Sequence, residues 1–247
     1  MPIALVTGGS RGIGAAAALR LAADGWDVAL SYRKASDEAD VVVGGCRELG
    51  RRCVAVRADV AEEEDVSRLF AAVDEQLGTI GALINNAGIV GPKARLEETS
   101  RERLERMFAV NVFGAFACAR EAVRRMSTNH GGAGGVIVNV SSVAARLGGP
   151  GEYVDYAASK GAVDSMTIGL AKEVASEGIR VNAVRPGIIA TDIHASGGQP
   201  DRPVRMRHLI PMLRAGEAHE IAGVIAWLCG PDAAYVTGAL VDASGGR

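Results

Sequence analysis

Several things are scarce in this chain. Aromatic residues make up only 4% of it (2 Trp, 4 Tyr and 4 Phe), and 247 residues contain only 4 Cys and 4 His. The cysteines, Cys46, Cys53, Cys118 and Cys229, are scattered, with neither CxxC spacing nor histidine partners. That argues against a zinc site or a disulfide framework, and for buried free thiols in a reducing compartment. A surplus of one charge is also missing. A formal net charge of −2 and the lack of a Lys/Arg stripe give no basis for tracking a nucleic-acid backbone. There is no long hydrophobic run. The longest stretch free of Asp, Glu, Lys and Arg, Met126–Ala145, carries four glycines (131, 132, 134 and 135) and reads as helix end, loop and strand rather than a membrane span. Strand-like sequence begins at Ile3, so we expect no signal peptide and a cytoplasmic location. What is present is 48% apolar sequence against 23% charged, enough to fill a substantial core.

Strand and helix patterns alternate along the whole chain. Strands are expected at Ile3–Thr7, Val28–Tyr32, Cys53–Ala58, Ala82–Asn85, Val136–Val140, Ile179–Arg185 and Ala239–Asp242. Helices are expected at Ala15–Ala23, after Tyr32 to about Gly50, and at Glu62–Gly78, Arg101–Ser127, Tyr156–Glu177 and Glu217–Cys229. Thr99 with Glu102 gives a capping-box pattern at the start of the longest of these. Seven strands separated by helices imply an α/β fold, a doubly wound parallel sheet with helices on both faces. No repeat and no low-complexity linker divides the chain, so residues 1–247 are expected to form one domain. Asp192–Gly216, polar and rich in Gly and Pro, is too long for an ordinary connection and is expected to be a mobile flap.

Tyr156 and Lys160, in Tyr156-Ala157-Ala158-Ser159-Lys160, stand at i and i+4 on one helix face. Four tyrosines and four lysines in 247 residues would rarely produce this spacing by chance. A free tyrosine ionises near pH 10, and closing the gap to neutrality needs about 4 kcal/mol. A cation about 4–5 Å away, at an effective dielectric near 20, supplies about 3–4 kcal/mol. The pair is therefore expected to act as an acid–base group, with Lys160 lowering the tyrosine. Tyr153 has Ala157 four residues on, so Tyr156 is the candidate.

Other unusual motifs fall where strands end. Thr7-Gly8-Gly9-Ser10-Arg11-Gly12-Ile13-Gly14 joins the first strand to the first helix. Its glycines at 8, 12 and 14 let the backbone approach a pyrophosphate at a helix N-terminus, although the spacing is not GxGxxG. Asn85-Asn86-Ala87-Gly88 ends the fourth strand, Ser141-Ser142 the fifth and Pro186-Gly187 the sixth. Each could be a simple turn, but in doubly wound sheets ligands bind along this edge.

Together, Thr7-Gly8-x-x-x-Gly12-x-Gly14, Asn86-Ala87-Gly88, Asn111, Ser142, Tyr156-x-x-x-Lys160 and Pro186-Gly187 resemble the short-chain dehydrogenase/reductase family over essentially the whole chain. The resemblance implies an enzyme, an oxidoreductase that moves a hydride between nicotinamide and a carbonyl or alcohol carbon. It implies that Tyr156 exchanges the proton, Lys160 lowers its pKa and holds the nicotinamide ribose, Ser142 binds the reacting oxygen, and Asn111 holds a water of a proton relay. Ser142 lies one residue farther from Tyr156 than is usual in the family. That leaves Ser141 as the alternative, and strand alternation lets only one face the cofactor. By the same resemblance, cofactor contacts are expected from Gly8, Ser10, Arg11, Gly12, Ile13, Gly14, Arg33, Asp59, Val60, Asn86, Ala87, Gly88, Tyr156, Lys160, Pro186, Gly187, Ile189 and Thr191. Asp59-Val60 resembles the pair that positions adenine. No metal is implied.

NAD-specific members carry an acid at the end of the second strand. Here Tyr32, Arg33 and Lys34 occupy that region, and no acid lies between Val28 and Ser36. With Arg11 close by, two guanidinium groups favour a 2′-phosphate, so NADP(H) is expected ahead of NAD(H). The nearest resemblances are to ketoacyl-carrier reductases and to sugar or polyol dehydrogenases. Ser127-Thr128-Asn129-His130 lacks the basic residues expected for an acidic carrier protein, although Lys172 would suit one. A free small molecule is therefore the expected substrate, with 3-oxoacyl-carrier-protein reduction as the alternative and a silent NADP(H)-binding regulator as a third reading. His194, Arg205, Arg207 and His208 could meet an anionic substrate, or simply be exposed flap charges. The family also implies a homotetramer packed through its fourth and fifth helices, with no nucleic-acid or membrane partner.

Overall fold

Short runs of Val, Ile, Leu and Ala bounded by glycine turns fold as buried strands, and the alanine- and glutamate-rich stretches between them fold as helices. The computed structural model describes residues 1–247. Its elements are β1 (Ile3–Val6), α1 (Gly12–Ala23), β2 (Asp27–Tyr32), α2 (Ser36–Glu48), β3 (Cys53–Arg57), α3 (Glu63–Gln76), β4 (Ala82–Asn85), α4 (Arg101–Phe108), α5 (Gly114–Met126), β5 (Gly135–Val140), α6 (Ala144–Leu147), α7 (Val154–Val174), β6 (Ile179–Pro186), α8 (Ile193–Ser196), α9 (Arg202–Arg205), α10 (Ala218–Cys229) and β7 (Leu240–Ala243). The seven strands form one sheet in the order β3-β2-β1-β4-β5-β6-β7, and every pairing is parallel. The order reverses between β1 and β4, which opens a crevice at their carboxyl ends.

Both sheet faces are covered. Ala4, Val6, Val28 and Leu30 point to one side, where Ala17, Leu21, Val42, Ile221 and Ile225 of α1, α2 and α10 close a core. Ile3, Leu5, Ala29 and Leu83 point to the other, against Leu69 and Phe70 of α3, Ala119 of α5 and Val174 of α7. This explains why the strands read as continuous apolar runs. No helix is long and apolar enough to cross a membrane, and all four cysteines are free and buried.

One helix differs from the sequence expectation. The helix expected over 101–127 is broken by a π-turn at Ala109–Phe113, which separates α4 from α5 and holds Asn111. Such turns insert one residue into the ladder and redirect a side chain, often at functional sites. The 192–216 segment holds α8, α9 and a 3₁₀ turn at Arg207–Leu209. Its base is closed by an isolated bridge from Ile189 to Gly216, with Ala190 N donating to Gly216 O at 2.8 Å and Gly216 N to Ile188 O at 2.9 Å.

Candidate active site

Two cavities lie side by side along the carboxyl edge of the sheet and share Ile13, Asn86, Gly88 and Thr191. The larger, of about 640 Å³, follows the glycine turn past the ends of β2 and β3. The smaller, of about 310 Å³, lies between β5, α7 and the segment after β6. Every residue expected from the sequence to act in catalysis or to touch the cofactor lines one or the other except Asn111, which is buried behind them.

The crevice is held open by side chains that bind the protein itself. Asn86 Nδ2 donates to Thr7 O at 2.9 Å and to Gly8 O at 3.1 Å, tying the end of β4 to the glycine turn. Gly12 has φ of +56°, and a Cβ there would stand 3.4 Å from Thr191 Cγ2, across the mouth of the cleft. Gly14 has a different reason to be glycine: a Cβ would come within 2.3 Å of Gly8 O, so it lets α1 pack against its own turn. The bare backbone around Gly12, at the N-terminus of α1, suits an elongated phosphate-bearing group.

Tyr156, Lys160 and Ser142 line the smaller cavity, with Lys160 next to Gly88, where the two cavities adjoin. Lys160 Nζ donates to Val140 O at 2.8 Å and lies over the Tyr156 ring, 5.7 Å from its centroid. Burial pushes the Tyr156 phenol up to about 12, and the neighbouring Ser142 hydroxyl pulls it partly back. Burial draws Lys160 down to about 8, with Asp164 opposing. The structure thus corrects the sequence argument. Burial raises the phenol and only the Ser142 hydroxyl opposes it, with no lowering from Lys160. The two serines separate as strand alternation requires: Ser141 Oγ donates to Lys160 O at 3.2 Å, while Ser142 faces the phenol. Asn111 Oδ1 accepts from Ile89 N at 2.8 Å, and its Nδ2 donates to Ile89 O at 2.9 Å and Ser159 Oγ at 3.0 Å. Even so, Asn111 Oδ1 and Lys160 Nζ flank one point, each 3.4 Å from where a Cβ on Gly88 would stand.

At the far end of the larger cavity are Arg11, Arg33, Lys34 and Asp59. Asp59 is clamped by Arg106 Nη2 at 2.7 Å, with Arg33 Nη1 at 3.5 Å. Burial pushes its carboxyl upward, but Arg106, Ala61 N and Arg33 together hold it below its ordinary value. One acid escaped the sequence reading. Glu38, in the first turn of α2, lines the same wall.

Residues 8–247 match the family model described as enoyl-(acyl carrier protein) reductase. An uncharacterised oxidoreductase of Escherichia coli, YgfF, is 51% identical over all of both chains. Glucose 1-dehydrogenase 2 of Bacillus subtilis is 37% identical, covering 98% of this chain and 93% of that one. A short-chain dehydrogenase of Burkholderia cenocepacia, solved with NADP, superposes with a TM-score of 0.91 at 35% identity, covering 99% of this chain and 97% of that one. The chain belongs to the short-chain dehydrogenase/reductase family. As a short-chain dehydrogenase/reductase it is an enzyme, an oxidoreductase acting on CH–OH and C=O groups.

The smaller cavity of this short-chain dehydrogenase/reductase is lined partly by residues that the sequence reading missed: Glu152, Arg202 and Arg247, besides Tyr153. Arg202, on α9, is buried with its guanidinium 5.0 Å from the Tyr153 ring centroid and donates to Glu152 Oε2 at 2.7 Å. Tyr153 Oη accepts from Gln199 Nε2. Of the four flap cations considered from sequence, only His194 lines the cavity, with Nε2 2.9 Å from Ile189 O; Arg205, Arg207 and His208 are exposed outside it. Neither Arg202 nor Arg247 had a sequence signal, because a lone arginine in a polar segment reads as solvated.

Proposed function

We propose that the protein is an NADP(H)-dependent oxidoreductase that transfers a hydride between nicotinamide and a small carbonyl or alcohol substrate. The observation that carries this reading is a cavity of about 640 Å³ along the glycine turn that adjoins, at Asn86, Gly88 and Thr191, a smaller one lined by Tyr156, Ser142 and Lys160. A bound nicotinamide would supply or accept the hydride. Everything else falls to the chain. The turn from Gly8 to Gly14, with Asn86, Ala87 and Gly88, would cradle the phosphates and the nicotinamide ribose. Asp59 and Val60 would flank the adenine. Pro186, Gly187, Ile189 and Thr191 would line the nicotinamide side. At neutral pH the Tyr156 phenol is protonated and ready to donate to a carbonyl oxygen, and Ser142 is placed to hold that oxygen as charge develops. Lys160 would hold the ribose, and Asn111 the relay water.

Arg11, Arg33 and Lys34 support NADP(H) over NAD(H), as does the NADP found in the Burkholderia relative. The turn at Thr128–His130 offers no basic residue but His130 before β5, and Lys172 is exposed on α7. That supports a free small molecule over a carrier-bound one. All three reacting side chains are retained, which argues against a silent regulator. Phe113 and Phe116 by α5 and Ile168 on α7 are exposed, which supports pairing of these helices in a homotetramer. Four free thiols suit a cytoplasmic location. One domain serves the whole reaction, with the 192–216 segment as the substrate flap.

The test is a panel of ketones, aldehydes, sugars and acyl thioesters followed by NADPH absorbance, repeated with Tyr156→Phe. The variant is expected to keep NADPH binding and lose at least about a hundredfold in turnover. Retention of most turnover on a verified substrate would remove Tyr156 from the proposed role.

A further inference from the structure

The cavity beside Tyr156 has an unbalanced wall. Glu152 is its only acidic side chain, and it is already engaged by Arg202 Nη2 at 2.7 Å and by Lys93 Nζ at 3.6 Å. Arg202 is itself fixed, only 8% exposed, stacked on Tyr153 and bonded through Nη1 to Gln199 Oε1 at 3.4 Å. Arg247 lines the same cavity and is partly buried, yet its guanidinium makes no hydrogen bond and no ion pair anywhere in the molecule. Its backbone, by contrast, is anchored: Arg247 O accepts from Arg146 Nη2 at 2.8 Å and from Ser244 Oγ at 3.0 Å. Burial and the nearby Arg202 both disfavour its charge, with Glu152 opposing. Two guanidinium groups, Arg202 and Arg247, thus share this end of the cavity with one carboxylate side chain, and Arg247 is the less satisfied of the two.

A partly buried guanidinium without a partner is costly, and it presents a planar fork of N–H donors matched to the two oxygens of a carboxylate. Val143, Leu147 and Ile188 supply apolar wall in the same cavity. At about 310 Å³ the cavity is at the small end for ligand sites. We infer that the substrate is a small oxo acid or the corresponding hydroxy acid, its carboxylate received by Arg247 with Arg202 behind it while its carbonyl or alcohol group reaches Tyr156. This rests on the hydride-transfer reading above. In reduction, the carbonyl carbon gains the hydride, its oxygen gains the Tyr156 proton, NADPH is oxidised to NADP⁺, and the carboxylate is unchanged.

The test compares matched pairs on the intact enzyme with NADPH: 3-oxobutanoate and 4-oxopentanoate, each against its methyl ester. For at least one pair, kcat/KM should favour the acid about tenfold or more, mainly through KM. In Arg247→Gln that ratio should fall toward one, whereas Arg207→Gln, on the 192–216 segment and outside the cavity, should leave the ratio where it was. Preference for both esters, or a ratio that survives Arg247→Gln, would overturn the assignment while leaving hydride transfer intact. If neutral and acidic carbonyl compounds alike failed to oxidise NADPH, the hydride-transfer reading would fail instead. The carboxylate site is then read by binding, as quenching of NADPH fluorescence by each acid and its ester. Tighter binding of an acid, lost in Arg247→Gln, would support the site, and equal binding would refute it.

Discussion

Replacing Arg33 with Asp is the sharpest perturbation of the nucleotide end. Arg33 is 47% exposed and stands 3.5 Å from Asp59, so part of its charge is already engaged and screened. A charge-assisted hydrogen bond contributes about 1.5–3 kcal/mol, and this degree of exposure places Arg33 near the lower figure. Since about 1.4 kcal/mol is tenfold in affinity, losing that contact alone should cost NADPH about tenfold. The new carboxylate would also stand beside Asp59 and face the 2′-phosphate, and like-charge repulsion should bring the total shift in the NADPH/NADH ratio to about a hundredfold. Glu38 on the same wall opposes the phosphate, so Glu38→Gln should tighten NADPH a few-fold and leave NADH nearly unmoved. Fluorescence titration of both cofactors, at low salt and at about 1 M, reads all of this. High salt, where the screening length is about 3 Å, should erode the preference. Equal affinities for NADPH and NADH in the unmodified protein would refute the 2′-phosphate assignment.

Lys160, drawn by burial from its ordinary 10.5 to about 8, makes stability depend on pH. Between those values the unfolded chain holds the proton and the folded chain does not, so this group's contribution rises with pH across that window. Lys160→Met should flatten the rise, and urea melts of both proteins at pH 7 and pH 9.5 decide it; an identical pH dependence would count against the shift. Arg103 grips Asp155, the neighbour of Tyr156, at 2.7 and 3.1 Å, with Asp155 almost wholly buried. Asp155→Ala strands that guanidinium and should cost about 3 kcal/mol, seen as a fall in Tm of roughly 6–12 °C. A change of only a degree or two would show the pair to be dispensable. Light scattering should return a tetramer, and a monomer would contradict packing through Phe113 and Phe116.

All seven strands and their parallel arrangement were legible in the sequence because apolar runs such as Ile3–Val6 and Val136–Val138 have few other places to go. The site edge was legible for a related reason: Gly12, Asn86 and Ser142 sit where those runs stop. The break at Ala109–Phe113 was not. Its apolar pattern suits an unbroken helix, and the π-turn depends on Asn111 meeting Ile89, 22 residues earlier. The high Tyr156 pKa escaped because spacing reports which groups are near but not how much water they lose. Arg202 and Arg247 escaped because their neighbours, Glu152 and Tyr153, are distant in the chain.

The tether between β1 and β4 also has a bearing on how the protein comes to be folded. Asn86 N and Ala87 N both donate to Thr7 Oγ1 at 3.0 Å, across 79 and 80 residues of chain. The glycine turn therefore cannot take its final shape from its own neighbourhood. During synthesis at about 5–20 residues per second, Thr7 waits roughly 4–16 seconds before Asn86 exists to restrain it. Until then α1 and β2 are present without the strand that closes the crevice beside β1, leaving one edge of β1 unpaired and its apolar face uncovered. The nucleotide site is thus a late product of long-range pairing, and a fragment ending before β4 would carry the whole glycine turn yet lack the contacts that shape it.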